Sequence, residues 1–113
     1  MKDITFTQLR SLLEKESTGE KRLDAVYVYS PICGTCKLGE RMLNIVQQTM
    51  PDLEIYQLDL NLSPDAALTY QIESIPCLLV WPRSRTSDEQ PDLHYALHSV
   101  THLFSILGEG ING

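Results

Sequence analysis

The chain has no long apolar run. No window among its 113 residues approaches the ~20 apolar residues that a membrane-spanning helix needs, so no span is expected. It has no excess of positive charge either. Lys and Arg total 9 against 15 Asp and Glu, leaving a net charge of −6, and the acidic residues are spread along the chain. That balance disfavours a nucleic-acid backbone or an anionic membrane as a partner. Cysteine is scarce and odd in number, with 3 in all, which fits poorly with a structural disulfide framework. The opening Met1-Lys2-Asp3-Ile4-Thr5 lacks the apolar core of a secretion signal. A cytoplasmic location is therefore expected, and in that reducing compartment a cysteine pair works by cycling, not by stapling. There is no internal repeat and no low-complexity segment. A chain of this length with a 42% apolar share is expected to form a single domain over 1–113 with one core.

What is present centres on one stretch. Ala25-Val26-Tyr27-Val28-Tyr29-Ser30 is apolar, β-branched and aromatic, the composition of a buried strand. Pro31 ends it, since proline cannot donate to a ladder. Cys33-Gly34-Thr35-Cys36-Lys37 follows, and then a run with helical spacing. A Cys-x-x-Cys where a strand gives way to a helix reads as a dithiol redox site. Residues three apart on a helix lie one turn from each other, so the two sulfurs can meet and bond. Cys33 is placed at the helix N-terminus, where unsatisfied N–H groups and the macrodipole favour negative charge. That lowers the expected pKa of its thiol and makes Cys33 the nucleophile, because the thiolate is the attacking species in disulfide exchange.

Taken in order, a helix is predicted over 5–16, with Phe6, Leu9, Leu12 and Leu13 on one stripe and a capping box between Thr5 and Gln8. The residues before it give a weak signal for a short edge strand. The polar stretch 17–22 is a loop, and the strand just described runs from about Leu23 to Ser30. The next helix is predicted from Gly34 to Met50, its inward stripe made of Leu38, Met42, Ile45, Val46 and Thr49, with Pro51 as its stop. Leu53–Leu60 is a second strand. Ser63-Pro64 starts a short helix that ends near Tyr70, with serine as N-cap and proline at the first helical position. Two strands joined through such a helix form a right-handed unit with parallel strands.

Cys77–Trp81 is a third strand bounded by Pro76 and Pro82, 83–92 is a loop, and Leu93–His98 is a last strand, antiparallel because no crossover helix fits. Ser99 caps a closing helix whose inward residues are Val100, Leu103, Phe104 and Leu107; Gly108 ends it and leaves 108–113 as a frayed tail. The core then spans about 23–107.

This arrangement resembles the thioredoxin family. The likeness rests on Cys33-Gly34-Thr35-Cys36-Lys37 after a strand, on Ile72-Glu73-Ser74-Ile75-Pro76 before a strand, and on Ser63-Pro64, Tyr70 and Ile72 between them. It implies an α/β thioredoxin-like fold, a central mixed sheet of four or five strands with helices on both faces. It implies a cis bond at Ile75-Pro76 and a proline packed beside the dithiol, with Ile75 offering its backbone to an extended substrate segment. Gly34, Thr35, Ile75 and Pro76 are thus the expected substrate-binding residues, and Cys33 and Cys36 the reactive pair. The implied activity is thiol–disulfide exchange with protein substrates: Cys33 attacks, Cys36 resolves, and a separate reductase recharges the pair. No organic cofactor is needed, since the dithiol carries the electrons.

The chain also departs from the family pattern. Ile32 replaces a tryptophan, Thr35 a proline and Cys77 a threonine. Tyr27 stands where the family has a buried acid that takes the proton of the second cysteine. That proton is left to Glu40, one turn along, or to water.

Two other readings are distinguishable. If Cys77 comes close to Cys33 and Cys36, three thiolates could hold a soft metal or share an iron–sulfur cluster across a dimer; against this, a buried small residue is the ordinary role of a free cysteine. A low-turnover adaptor is the other. His94, His98 and His102 recur every four residues, but a helix starting at Ser99 makes them straddle a strand and a helix, as surface residues. Lys37 is expected as a solvated lysine, Tyr27 and Tyr29 as core residues on one sheet face, and Trp81 as packing at the sheet edge.

Overall fold

A computed structural model describes residues 1–17, 23–85 and 90–112. The elements run β1 (Lys2–Asp3), α1 (Phe6–Ser17), β2 (Ala25–Tyr29), α2 (Gly34–Thr49), β3 (Ile55–Asp59), α3 (Asp65–Tyr70), β4 (Cys77–Val80), β5 (Asp92–His94) and α4 (Val100–Asn112). The loop expected over 17–22 and the middle of the loop expected over 83–92 fall largely outside the described residues.

Among the described residues the strands form one mixed sheet in the order β1-β3-β2-β4-β5. β2 lies at its centre, parallel to β3 and antiparallel to β4. Its apolar character follows from this position, because side chains on both faces are covered. Alternation along the strands sorts the core into two layers. Val26, Val28, Leu58, Cys77 and Leu79 face Leu9 and Leu12 of α1 and Ala66 and Tyr70 of α3. Ala25, Tyr27, Ile55, Leu78 and Val80 face Leu43 and Val46 of α2 and Leu103 and Leu107 of α4. Each fully buried aliphatic side chain in these layers contributes about 1.5–3 kcal/mol.

Local signals act where they are expected in α1 and α4. The Thr5 amide donates to Gln8 Oε1 at 2.8 Å and the Gln8 amide to Thr5 Oγ1 at 3.2 Å, closing the capping box. The His102 amide donates to Ser99 Oγ at 3.1 Å at the start of α4. The weak strand signal at the N-terminus corresponds to β1, which pairs with β3 at the sheet edge.

Three expectations are corrected. First, α2 turns a different stripe inward: Cys36, Gly39, Leu43 and Val46 are buried, whereas Leu38 and Ile45 are 56% and 50% exposed. Both stripes have helical spacing. The ring of Tyr27 beneath the helix decides between them, because only a residue without Cβ fits over it at position 39.

Second, Ser63 does not cap α3. The N-cap is Pro64 in helical conformation with no side-chain bond, and Ser63 Oγ instead accepts the Phe6 amide at 3.1 Å. An orphan donor at the first turn of α1 thereby finds a partner across the fold. Third, α4 continues past Gly108 to Asn112. Its last turn is held from outside, with the Arg83 amide donating to Gly110 O at 2.9 Å and Ile111 packing on the α2–α4 layer.

Candidate active site

The site begins where β2 ends. The Cys33 amide donates to Ser30 O at 3.1 Å, turning the chain out of the sheet. Asn61 Nδ2 donates to Ser30 Oγ at 3.0 Å, tying this turn to the one after β3. Cys33 is the N-cap of α2, with extended backbone, and its sulfur accepts the Cys36 amide at 3.2 Å. The sulfur thus does what a serine or aspartate oxygen does at other helix starts, in the place where negative charge is most favoured. Cys33 and Cys36 are bonded as a disulfide with their Cα atoms 5.2 Å apart. Cys33 is partly exposed and Cys36 is buried. Thr35 Oγ1 lies 3.3 Å from Cys33 Sγ, and Ile32 is 91% exposed.

The Ile75–Pro76 peptide bond is cis. Pro76 and Thr35 line one open groove of about 310 Å³ together with Leu38, Gly39, Met42, Tyr95, Leu97 and His98. Of the residues expected to meet substrate, the fold brings Thr35 and Pro76 to this groove; Gly34 is exposed and Ile75 partly buried, and neither lines it. Sequence reasoning missed the wall formed by Tyr95, Leu97 and His98. His98 adopts φ 51, a left-handed conformation that histidine tolerates better than most residues, and its ring meets His102 edge-on at 4.7 Å between centroids. Nothing in the local pattern of Tyr95-Ala96-Leu97-His98 marks it as a wall, since the connection from β5 to α4 acquires that role only by crossing the end of α2.

Tyr27 lies under the first turns of α2. It is fully buried, and its hydroxyl donates to the Cys36 carbonyl oxygen at 2.7 Å. Burial, with a smaller contribution from the Glu40 charge, pushes its ionisation far above the usual tyrosine range. It therefore keeps its proton and acts as a donor, not as a base. Tyr29 stacks parallel to it at 6.3 Å and donates to Asp3 Oδ1 at 2.8 Å. Burial, then Asp3 and more distant carboxylates, push Tyr29 up to about 12.

The fold does not bring Cys77 to the pair. Cys77 is buried in the layer beneath α1 and α3, while α2 packs on the opposite face through Leu43 and Val46. Burial pushes its thiol up to about 11. Among the described residues, no group of three or more His, Cys, Asp or Glu is placed to hold a metal ion, so the three-thiolate arrangement is not formed. His94 lies on β5, His98 in the connection and His102 on α4, straddling strand and helix. Trp81 is buried and meets Tyr70 edge-on at 5.7 Å. Among the described residues no helix is long and apolar enough to cross a membrane.

Comparison with known proteins agrees with this geometry. The thioredoxin family model matches residues 6–98. The chain is 40% identical over 82 residues to the thioredoxin-like protein YusE of Bacillus subtilis (strain 168), covering 73% of this chain and 74% of that protein. Chloroplastic thioredoxin z superposes with a TM-score of 0.76 at 19% identity, covering 100% of this chain and 96% of the other. The thioredoxin of Fasciola hepatica superposes with a TM-score of 0.75 at 20% identity, covering 96% of this chain and 97% of the other.

Proposed function

The chain belongs to the thioredoxin family, and from that premise we propose that it reduces protein disulfides with Cys33 as nucleophile and Cys36 as resolving thiol. The activity class is thiol–disulfide oxidoreductase, and thioredoxins need no cofactor for it. The observation that carries the assignment of roles is the asymmetry of the pair: Cys33 is the partly exposed cap of α2 and Cys36 the buried residue one turn in.

In the reduced protein the Cys33 thiolate attacks one sulfur of a substrate disulfide. That bond breaks, and the departing thiolate takes a proton from water. Cys36 then loses its proton to Glu40 or to water, and its thiolate attacks Cys33 Sγ. The mixed disulfide breaks, the second substrate thiolate leaves, and the Cys33–Cys36 bond forms. Two electrons have passed from the dithiol to the substrate. A separate reductase returns two electrons to the pair.

Gly34, Thr35, Ile75 and Pro76 form the substrate-binding edge in this reading, supported by the shared groove of Thr35 and Pro76. The chain works as one thioredoxin-like domain in the cytoplasm; a free buried Cys77 suits a reducing compartment.

The test is to measure reduction of a protein disulfide by Cys33→Ser and Cys36→Ser. Cys33→Ser is expected to be inactive, and Cys36→Ser to accumulate a covalent complex with substrate. Activity retained by Cys33→Ser overturns the assignment. A redox titration of the pair then decides whether it serves as reductant or oxidant.

A further inference from the structure

We propose that Tyr27 is a positioning residue for the resolving step, holding Cys36 against Cys33 through the bond from its hydroxyl to the Cys36 carbonyl. The inference rests on the thiol-exchange reading above and adds a residue to it.

The geometry singles out this bond. A buried phenol must find an acceptor, because an unmade hydrogen bond in a dry site is costly. Tyr27 is fully buried, and the acceptor it takes is the backbone of the resolving cysteine, at 2.7 Å. The same hydroxyl occupies the space that a side chain at Gly39 would fill, and Leu97 Cδ1 closes that space at 3.0 Å. The tyrosine is thus wedged between the sheet and the first turns of α2, and stacking on Tyr29 limits its tilt.

The bond matters most during exchange. In the disulfide-bonded site the Cys36 amide is held by Cys33 Sγ at 3.2 Å, and the S–S bond itself ties the two residues. In the mixed disulfide that sulfur is bonded to substrate instead, and the covalent link that ties Cys36 to Cys33 here is absent. Cys36 is then free of that link just when it must reach its target. The Tyr27 bond involves no sulfur and is unaffected by the state of the pair. It keeps the resolving thiol within the narrow approach that an intramolecular attack exploits. Tyr27 holds its proton because of burial and the Glu40 charge, so the donor is present throughout the working range.

The probe is a symmetrical nitroaromatic disulfide whose released thiolate is coloured. Cys33 attack releases one coloured thiolate and leaves the other on Cys33; Cys36 attack releases the second. Rapid mixing with the reduced protein follows both releases. In Tyr27→Phe the second release is expected to be about tenfold slower, the effect of losing one buried hydrogen bond, with the first within about twofold of the unsubstituted protein. Gly39→Ala, which crowds the same hydroxyl from the helix side, should also slow the second release. Tyr29→Phe loses a hydroxyl bonded to Asp3 instead and serves as control, with neither release changed.

An unchanged second release in Tyr27→Phe, equal slowing of both releases, or equal slowing by Tyr29→Phe overturns the proposal. A first release no faster than that of an ordinary thiol counts against the oxidoreductase reading alone, because the second release still compares Tyr27 with Phe.

Discussion

Gly39 of α2 and Tyr27 of β2 occupy one space: a Cβ built on Gly39 runs into the Tyr27 hydroxyl and comes within 3.0 Å of Tyr27 Cζ. Alanine is the better helix former by about 1 kcal/mol, so propensity alone predicts a gain from Gly39→Ala. Overpacking opposes it with about 1–3 kcal/mol, and here the obstacle is a buried ring that cannot swing away. Gly39→Ala is expected to lower the urea midpoint. The loss should be smaller in a Tyr27→Phe background, because the nearest of the three crowding atoms is then gone. Equal losses in both backgrounds would show that the two positions are not coupled.

Asp24 is buried just before β2 and serves two elements. It takes Arg83 Nε at 2.9 Å and Nη2 at 3.2 Å, one bond to each carboxylate oxygen, and also accepts the Glu54 amide at 2.9 Å. Removing it leaves a guanidinium and a backbone donor short of an acceptor. Asp24→Ala is expected to cost about 2–4 kcal/mol in equilibrium unfolding. Asp24→Asn should cost less, since the amide oxygen can still accept from Glu54. A loss below about 1 kcal/mol for Asp24→Ala would mean that water replaces the carboxylate.

His94 makes stability depend on pH. Burial lowers its pKa from the ordinary 6.5, the Asp92 charge opposes this, and His102 adds to it. A lowered folded-state pKa means that the unfolded chain binds the proton first as pH falls. Stability is therefore greatest above the ordinary value and declines as pH drops from about 6.5 to the folded-state pKa, after which this contribution is constant. His94→Gln should flatten that part of the curve, read as urea midpoints from about pH 8 to about pH 5. An unaltered slope would place the dependence on other groups.

Cys77 should be silent in the native protein. It is fully buried, and its thiol is pushed up to about 11. After reduction, alkylation at about pH 8 is expected to label Cys33 promptly, the buried Cys36 more slowly, and Cys77 only in denaturant, as mass spectrometry of the labelled peptides would show. Prompt native labelling of Cys77 would mean that β4 opens far more readily than its two-sided burial allows.

The parts of this protein legible in its sequence are those set by short-range chemistry. The strand, turn and helix around Cys33 and Cys36 can be read because β-branched composition, a strand-ending proline and a three-residue spacing each act over a few residues. The Thr5–Gln8 box and the Ser99 cap are legible for the same reason. Tertiary structure decided what local patterns leave degenerate. Two stripes on α2 have equal helical spacing, and only the ring of Tyr27 selects the one with Gly39. Ser63 has the right neighbours for a cap, yet an unpaired amide at the start of α1 takes its oxygen. Gly108 marks a plausible helix end, but contacts from Arg83 and the α2–α4 layer carry α4 further. Cys77 follows Pro76 in the chain, and strand alternation sends its sulfur to the far side of the sheet. The bond from Tyr27 to Cys36 belongs with these, since a hydroxyl chooses its acceptor only after strand and helix have packed.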